Sequence, residues 1–305
     1  MNRNTKHIST PFGDIAYTEH GAGRAALFVH GVFLNGYYWR HVIDRVADMR
    51  RCIAVDLLAH GDTGASAVQD LSFSAQADML AAFCMALALE SVDLVANDSG
   101  GGIAQIFAAR HPERIRSLTL TNCDTHDNWP LPAFQPVVRA AEWALYADLG
   151  PKMLADVALA RRKFAPAYEH PERVSAETFR TYLEPVFGTP AAIRNIERFI
   201  TSLGCHHTVA VEPLLRQLQA PTLVVWGTDD VYFSVKWAHW LRDTIPGCRK
   251  VIELAGARLF FPEERPEELA QALREHWQVR RETSSDLLGY ESGEAREACD
   301  GHSVD

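Results

Sequence analysis

The sequence predicts a doubly wound α/β protein, a mostly parallel sheet with helices on both faces. Short apolar and β-branched runs alternate with longer stretches of helical spacing between residues 14 and 277. Most of those short runs are continuously apolar, as strands covered on both faces must be. The alternation breaks once, between about 127 and 213. No strand run occurs there, prolines are frequent, and Phe134, Val137, Val138 and Ala141 recur at helical spacing.

Strands are expected over 14–19, 25–30, 52–57, 92–97, 115–122, 221–226 and 250–254, and helices over 38–49, 72–89, 101–111, 235–245 and 266–276. This β–α alternation is the signature of crossover connections in a parallel sheet. Residues 1–126 and 214–277 then form one core, and 127–213 a helical lid over the carboxyl ends of the strands, where open α/β sheets bind ligands. From 278 to 305 the sequence turns polar and reads as a disordered tail.

A chain of 305 residues can bury one large core together with an insert. The net charge is −9 with scattered basic residues, which argues against nucleic acid or an anionic membrane as partner and leaves a small-molecule substrate. The six cysteines form no C-x-x-C pair, so neither a disulfide framework nor a zinc site is expected. No signal core and no run of about 18 apolar residues occurs, making the cytoplasm the expected location. No cofactor is implied: Gly100-Gly101-Gly102 lacks G-x-G-x-x-G spacing. Oligomeric state leaves no trace in the sequence.

The most informative run is Val92 to Gln105, in which a buried strand ends and a helix begins at once. A nucleophile elbow needs small residues two before and two after the reactive residue, because backbone and helix approach closely at such a turn. Centring on Asp98 gives Ala96 and Gly100, whereas centring on Ser99 gives Asn97 and Gly101. Asparagine is bulky for that place, so Asp98 is the expected centre. The plain alternative is that Asp98 only caps the following helix.

At this point the chain, from about residue 10 to residue 277, resembles the α/β-hydrolase superfamily. His30-Gly31 resembles the His-Gly of the oxyanion loop, and Asp56 to Asp62 the D-x-x-G-H-G-x turn. His111 to Leu118 is similar to H-P-E-R-V-x-x-L, and Gly227 to Asp230 to the acid-bearing G-x-x-D turn. An aspartate at the elbow resembles haloalkane dehalogenases, fluoroacetate dehalogenases and soluble epoxide hydrolases. The resemblance implies attack by Asp98 on a saturated carbon, giving an ester intermediate. It implies backbone N–H donors at Val32 and Ser99, and contact with substrate from neighbouring Phe33.

In that superfamily the loop after the last strand carries a catalytic histidine. Counting back from Glu264-Arg265-Pro266 puts Leu259 at its place, with Arg258 beside it, and neither titrates as a base near neutrality. Substitutes for it include His126, just past the strand over 115–122, and His206 or His207 near the end of the insert. Asp124 falls at an alternative acid position and Asp230 at the usual one; Arg258 could pair with Asp98 or Asp230. The donors that commonly hold a halide are replaced by Ser99 and Val32. Insert tyrosines Tyr146, Tyr168 and Tyr182 are available as acids, and Phe134, Trp143, Phe164, Phe179, Phe187 and Phe199 are candidates to line a pocket. His30, His60, His111 and His239 read as structural.

Three functions remain open on sequence alone. One is a hydrolase acting on a small to medium apolar substrate of carbon–halogen, epoxide or ester type, with a non-standard base. Another is a lyase, isomerase or cyclase of specialised metabolism, and the third a pocket-binding protein that has lost turnover.

Overall fold

The computed structural model describes residues 4–290, with side chains through Gln278. Eight strands form one sheet: β1 (Lys6–Thr10), β2 (Gly13–His20), β3 (Ala25–Val29), β4 (Arg51–Val55), β5 (Val92–Asp98), β6 (Ile115–Cys123), β7 (Thr222–Gly227) and β8 (Cys248–Leu254). Their spatial order is β1-β2-β4-β3-β5-β6-β7-β8. The β1–β2 and β2–β4 pairings are antiparallel, and all later ones are parallel. Every residue of β3, β5 and β7 is buried, which explains why those runs carry no polar alternation.

The helices α1 (Arg40–Val46), α2 (Phe73–Ala86) and α3 (Ser99–Arg110) link the first six strands. Between β6 and β7 come α4 (Gln135–Glu142), α5 (Tyr146–Ala155), α6 (Val157–Phe164), α7 (Ala176–Phe187), α8 (Pro190–Ser202), α9 (Cys205–Ala210) and α10 (Glu212–Leu215). Then α11 (Lys236–Thr244), α12 (Phe261–Glu264) and α13 (Pro266–Tyr290) complete the chain as described. Helix starts follow local chemistry: the Ser72, Ser175 and Thr189 hydroxyls accept backbone N–H groups at the beginnings of α2, α7 and α8. No helix among the described residues is long and apolar enough to cross a membrane.

Two elements depart from the sequence expectation. β1 was not predicted, because its Lys-His-Ile-Ser-Thr run sits at the sheet edge and is mostly exposed, giving it no apolar signature. The last helix runs on to Tyr290 instead of stopping near 276, so the expected disordered tail begins as helix. A backbone helix supplies its own hydrogen bonds and needs no apolar face to satisfy them. Residues 291–305 lie outside the described residues.

A buried acid of the core helps fasten the insert. Glu263 pairs with Arg40 Nη1 at 2.6 Å and accepts the Tyr168 and Tyr182 hydroxyls at 2.7 and 2.8 Å. Backbone bonds reinforce this joint, with Phe260 N–H donating to the Ala167 carbonyl at 2.9 Å. The core thereby presents the ends of β3, β5, β6 and β7 to the underside of the insert.

Candidate active site

Asp98 stands at the corner between β5 and α3 with φ 57° and ψ −136°, a left-handed conformation that costs a non-glycine residue about 1–3 kcal/mol. Its side chain makes no capping hydrogen bond to α3. Instead Oδ2 accepts the Val32 N–H at 3.0 Å. The corner closes only because its neighbours lack side chains. A Cβ on Gly31 would lie 2.0 Å from Asp98 Oδ2, and one on Gly100 would lie 2.3 Å from the His30 carbonyl oxygen. His30 sets the Val32 loop from beneath: its Nε2 accepts the Leu57 N–H at 3.1 Å, so Nδ1 carries the proton and donates to the Gly31 carbonyl at 2.8 Å.

Three carboxyls gather here. Asp98 is buried, and desolvation pushes its carboxyl up to about 7 against the Val32 N–H that favours the charge; the Asp230 charge adds to the rise. Asp230 is pushed up to about 6 by burial, opposed by the N–H donors around it. Its Oδ2 takes the Asn122 amide at 2.7 Å and its Oδ1 the Tyr232 N–H at 2.8 Å. Asp124 is held well above the usual carboxylate range by burial and then by the Asp98 charge. Neither of its oxygens has a hydrogen-bond partner, and neither does the buried Ser99 Oγ.

Asp98, Ser99 and Asp124 line one cavity of about 100 Å³, whose remaining wall is mostly apolar side chains that include Val32, Phe33, Leu131 and Leu259. Phe33 sits at φ 63° and packs its ring against Tyr146, Phe164 and Phe187 of the insert, with centroids 5.6–6.0 Å apart. Leu259 is buried in the wall, and its carbonyl is fixed by the Asn97 amide at 3.2 Å. Phe134, Phe164 and Tyr146 line the cavity as well.

Other sequence candidates fall elsewhere. His126 has φ 50°, stacks on Trp240 at 4.8 Å, puts Nε2 3.4 Å from Glu212 and does not line the cavity. Arg258 pairs with neither acid directly: it donates to the Tyr168 carbonyl at 3.2 Å and acts on Asp230 only as a nearby charge. His207 lies against the Ser74 hydroxyl at 2.8 Å, and no histidine lines the cavity among the described residues. Tyr168 and Tyr182 are committed to Glu263, Trp143 is 68% exposed, and Phe179, Phe187 and Phe199 are buried without lining the cavity.

A model of the α/β-hydrolase fold matches residues 26–264, the span that carries the corner, the Val32 loop and the Asp230 turn. The chain belongs to the α/β-hydrolase fold family. It is 28% identical over 287 residues to a haloalkane dehalogenase of Agrobacterium fabrum, covering 86% of this chain and 87% of that one. It is 24% identical over 282 residues to a cis-3-alkyl-4-alkyloxetan-2-one decarboxylase of Shewanella oneidensis, covering 88% and 86%. Among solved structures it superposes on the haloalkane dehalogenase DbeA of Bradyrhizobium elkani with TM-score 0.74 at 24% identity, over 92% of this chain and 99% of that one, a likeness that speaks for the fold alone.

Within this α/β-hydrolase site, sequence reasoning missed Tyr232, Asn122 and Lys163. Tyr232 lines the cavity, and its phenol is pushed up to about 12 by burial and by the Asp98 and Asp230 charges. It stands two residues past the acid of the Gly227 turn, a spacing that could have marked it. Asn122 bridges β6 to β7, its Oδ1 accepting the Gly227 N–H at 2.7 Å while its amide holds Asp230. Lys163 is exposed and touches the cavity, marking its mouth.

Proposed function

We propose that this protein is a hydrolase-family enzyme that attacks a small apolar electrophile through the Asp98 carboxylate. The observation that carries this reading is a buried carboxylate at a positive-φ corner, braced by the Val32 N–H, facing an apolar cavity. A carboxylate at a saturated carbon displaces a halide or opens an epoxide and becomes an ester. The Val32 and Ser99 N–H groups would then stabilise the oxyanion formed when water attacks that ester. The helical insert serves as the cap that keeps bulk water from the reaction, and the size of the cavity restricts the substrate to a few carbon atoms. For comparison, an apolar cavity of about 150 Å³ holds one benzene.

Incubation with 1-bromobutane and 1,2-epoxybutane tests this, with mass measurement of the peptide containing Asp98 and assay of released bromide or diol. An increment on that peptide, absent in Asp98→Asn, is the expected result. Neither increment nor product with either compound would sink the proposal. Leu259 at the usual base position favours a second reading, a non-hydrolytic lyase or isomerase in which Asp98 is a general base. That reading requires activity lost in Asp98→Asn with no covalent increment in the unaltered protein.

A further inference from the structure

Among the described residues, Asp124 is a buried carboxyl whose side chain has no structural task. Both of its oxygens lack a partner, although an unpaired buried polar group costs about 1–3 kcal/mol. The fold holds it in place nonetheless. Its N–H donates to the Asp98 carbonyl at 3.3 Å, tying the end of β6 to the corner. The glycines of α3 make room for it: a Cβ on Gly101 would meet Cys123 Cβ at 2.2 Å, and one on Gly102 would meet Asp124 Cβ at 3.0 Å. The cavity it lines is the one Asp98 lines.

We infer that Asp124 is the acid–base residue of the reaction at Asp98, protonating the departing oxygen of a strained cyclic ether and then activating the water that frees the ester. This rests on Asp98 being the attacking group. The electrostatics suit it: burial, and after it the Asp98 charge, raise the Asp124 carboxyl well above its ordinary range and so favour the proton there. The other titratable neighbours do not compete. Burial keeps the Cys123 thiol and the Tyr232 phenol protonated, and Lys163 stands at the mouth.

The steps balance. Asp98 Oδ attacks a ring carbon, the C–O bond of the ring breaks, and the alkoxide takes the Asp124 proton, leaving a hydroxyalkyl ester and an Asp124 carboxylate. Water adds to the ester carbonyl as Asp124 removes its proton, and the tetrahedral intermediate expels the diol oxygen, which receives that proton. Asp98 then passes its remaining proton to Asp124, restoring both groups, with one water consumed. Such a switch from acid to base is what a paired carboxyl does in retaining glycoside hydrolysis. A halide needs no proton on leaving, so its displacement leaves Asp124 protonated; burial, the larger cause of its raised value, still favours the neutral form once the Asp98 charge is gone, and a neutral carboxyl does not activate water. The same residue therefore makes an epoxide a turnover substrate and a haloalkane a trap.

The test compares the full-length protein with Asp124→Asn and Asp124→Glu, using 1,2-epoxybutane and 1-bromobutane. The unaltered protein should make diol continuously but release bromide once, retaining a butyl increment on Asp98. Asp124→Asn should lose diol formation by about 100-fold or more while still gaining the butyl increment, which certifies its fold. Its pH profile should lose the high-pH fall that the unaltered protein shows, and Asp124→Glu should regain part of the turnover. Unchanged diol formation in Asp124→Asn, or sustained bromide release by the unaltered protein, would overturn the inference while leaving Asp98 as nucleophile. No increment and no diol in the unaltered protein would remove the nucleophile reading and this inference together.

Discussion

Replacing Asp98 by asparagine should stabilise the protein in a pH-dependent way. In the fold the carboxyl titrates at about 7 against an ordinary 3.8. Below pH 4 it is protonated in both folded and unfolded chains, so its ionisation contributes nothing to the difference between the variants. Between pH 4 and 7 the unfolded chain releases its proton while the folded one keeps it, so stability falls as pH rises. Above pH 7 both are ionised and the loss is complete. A shift from 3.8 to about 7 amounts to about 4 kcal/mol at about 1.4 kcal/mol per pH unit. Asparagine keeps an oxygen for the Val32 N–H and has no charge to desolvate. Urea titrations of both proteins at half-unit steps from pH 4 to 8 measure the gap in unfolding free energy; Asp230 is common to both, and removing the Asp98 charge also relieves Asp124, which adds to the gap in the same direction. The gap should open in favour of Asp98→Asn and level off above 7. Parallel curves across that range would refute the claim that a desolvated carboxylate sits at the corner.

Leu259→His puts an imidazole between Asp230 and Asp98, and should shorten the lifetime of the butyl ester on Asp98 by about 100-fold or more, read as loss of the mass increment over time. Glu263→Gln breaks the ion pair with Arg40 in a buried setting and should cost about 3–5 kcal/mol, seen in urea and as faster hydrogen exchange over 165–187. Gly100→Ala drives a methyl into the His30 carbonyl oxygen and should abolish soluble folded protein, whereas Gly64→Ala, with open space around it, should stay within about 0.5 kcal/mol.

The corner at Asp98 was legible because its requirements are local: an apolar strand, small residues at fixed offsets and an immediate helix. The parallel strands were legible for a related reason, since burial on both faces writes itself as an unbroken apolar run. What failed to show was direction. Asp124 and His126 lie two residues apart on the same strand exit, yet the positive φ at His126 sends its ring to Trp240 while Asp124 stays under the insert. Tyr232 and Asn122 were missed because their roles arise between strands distant in sequence. Counting pointed to Leu259, which lines the cavity, but that its neighbour Arg258 grips the insert backbone depends on packing that no single segment encodes.

The joint at Glu263 bears on how anything reaches the cavity. A swing of the insert as a rigid flap would strip two phenols from one buried acid at once. We expect traffic to pass instead by rotamer changes of side chains around Lys163 and Phe164, which line the cavity. Such a passage admits molecules by girth and stiffness, so branching in a substrate will slow its arrival before it affects the chemistry.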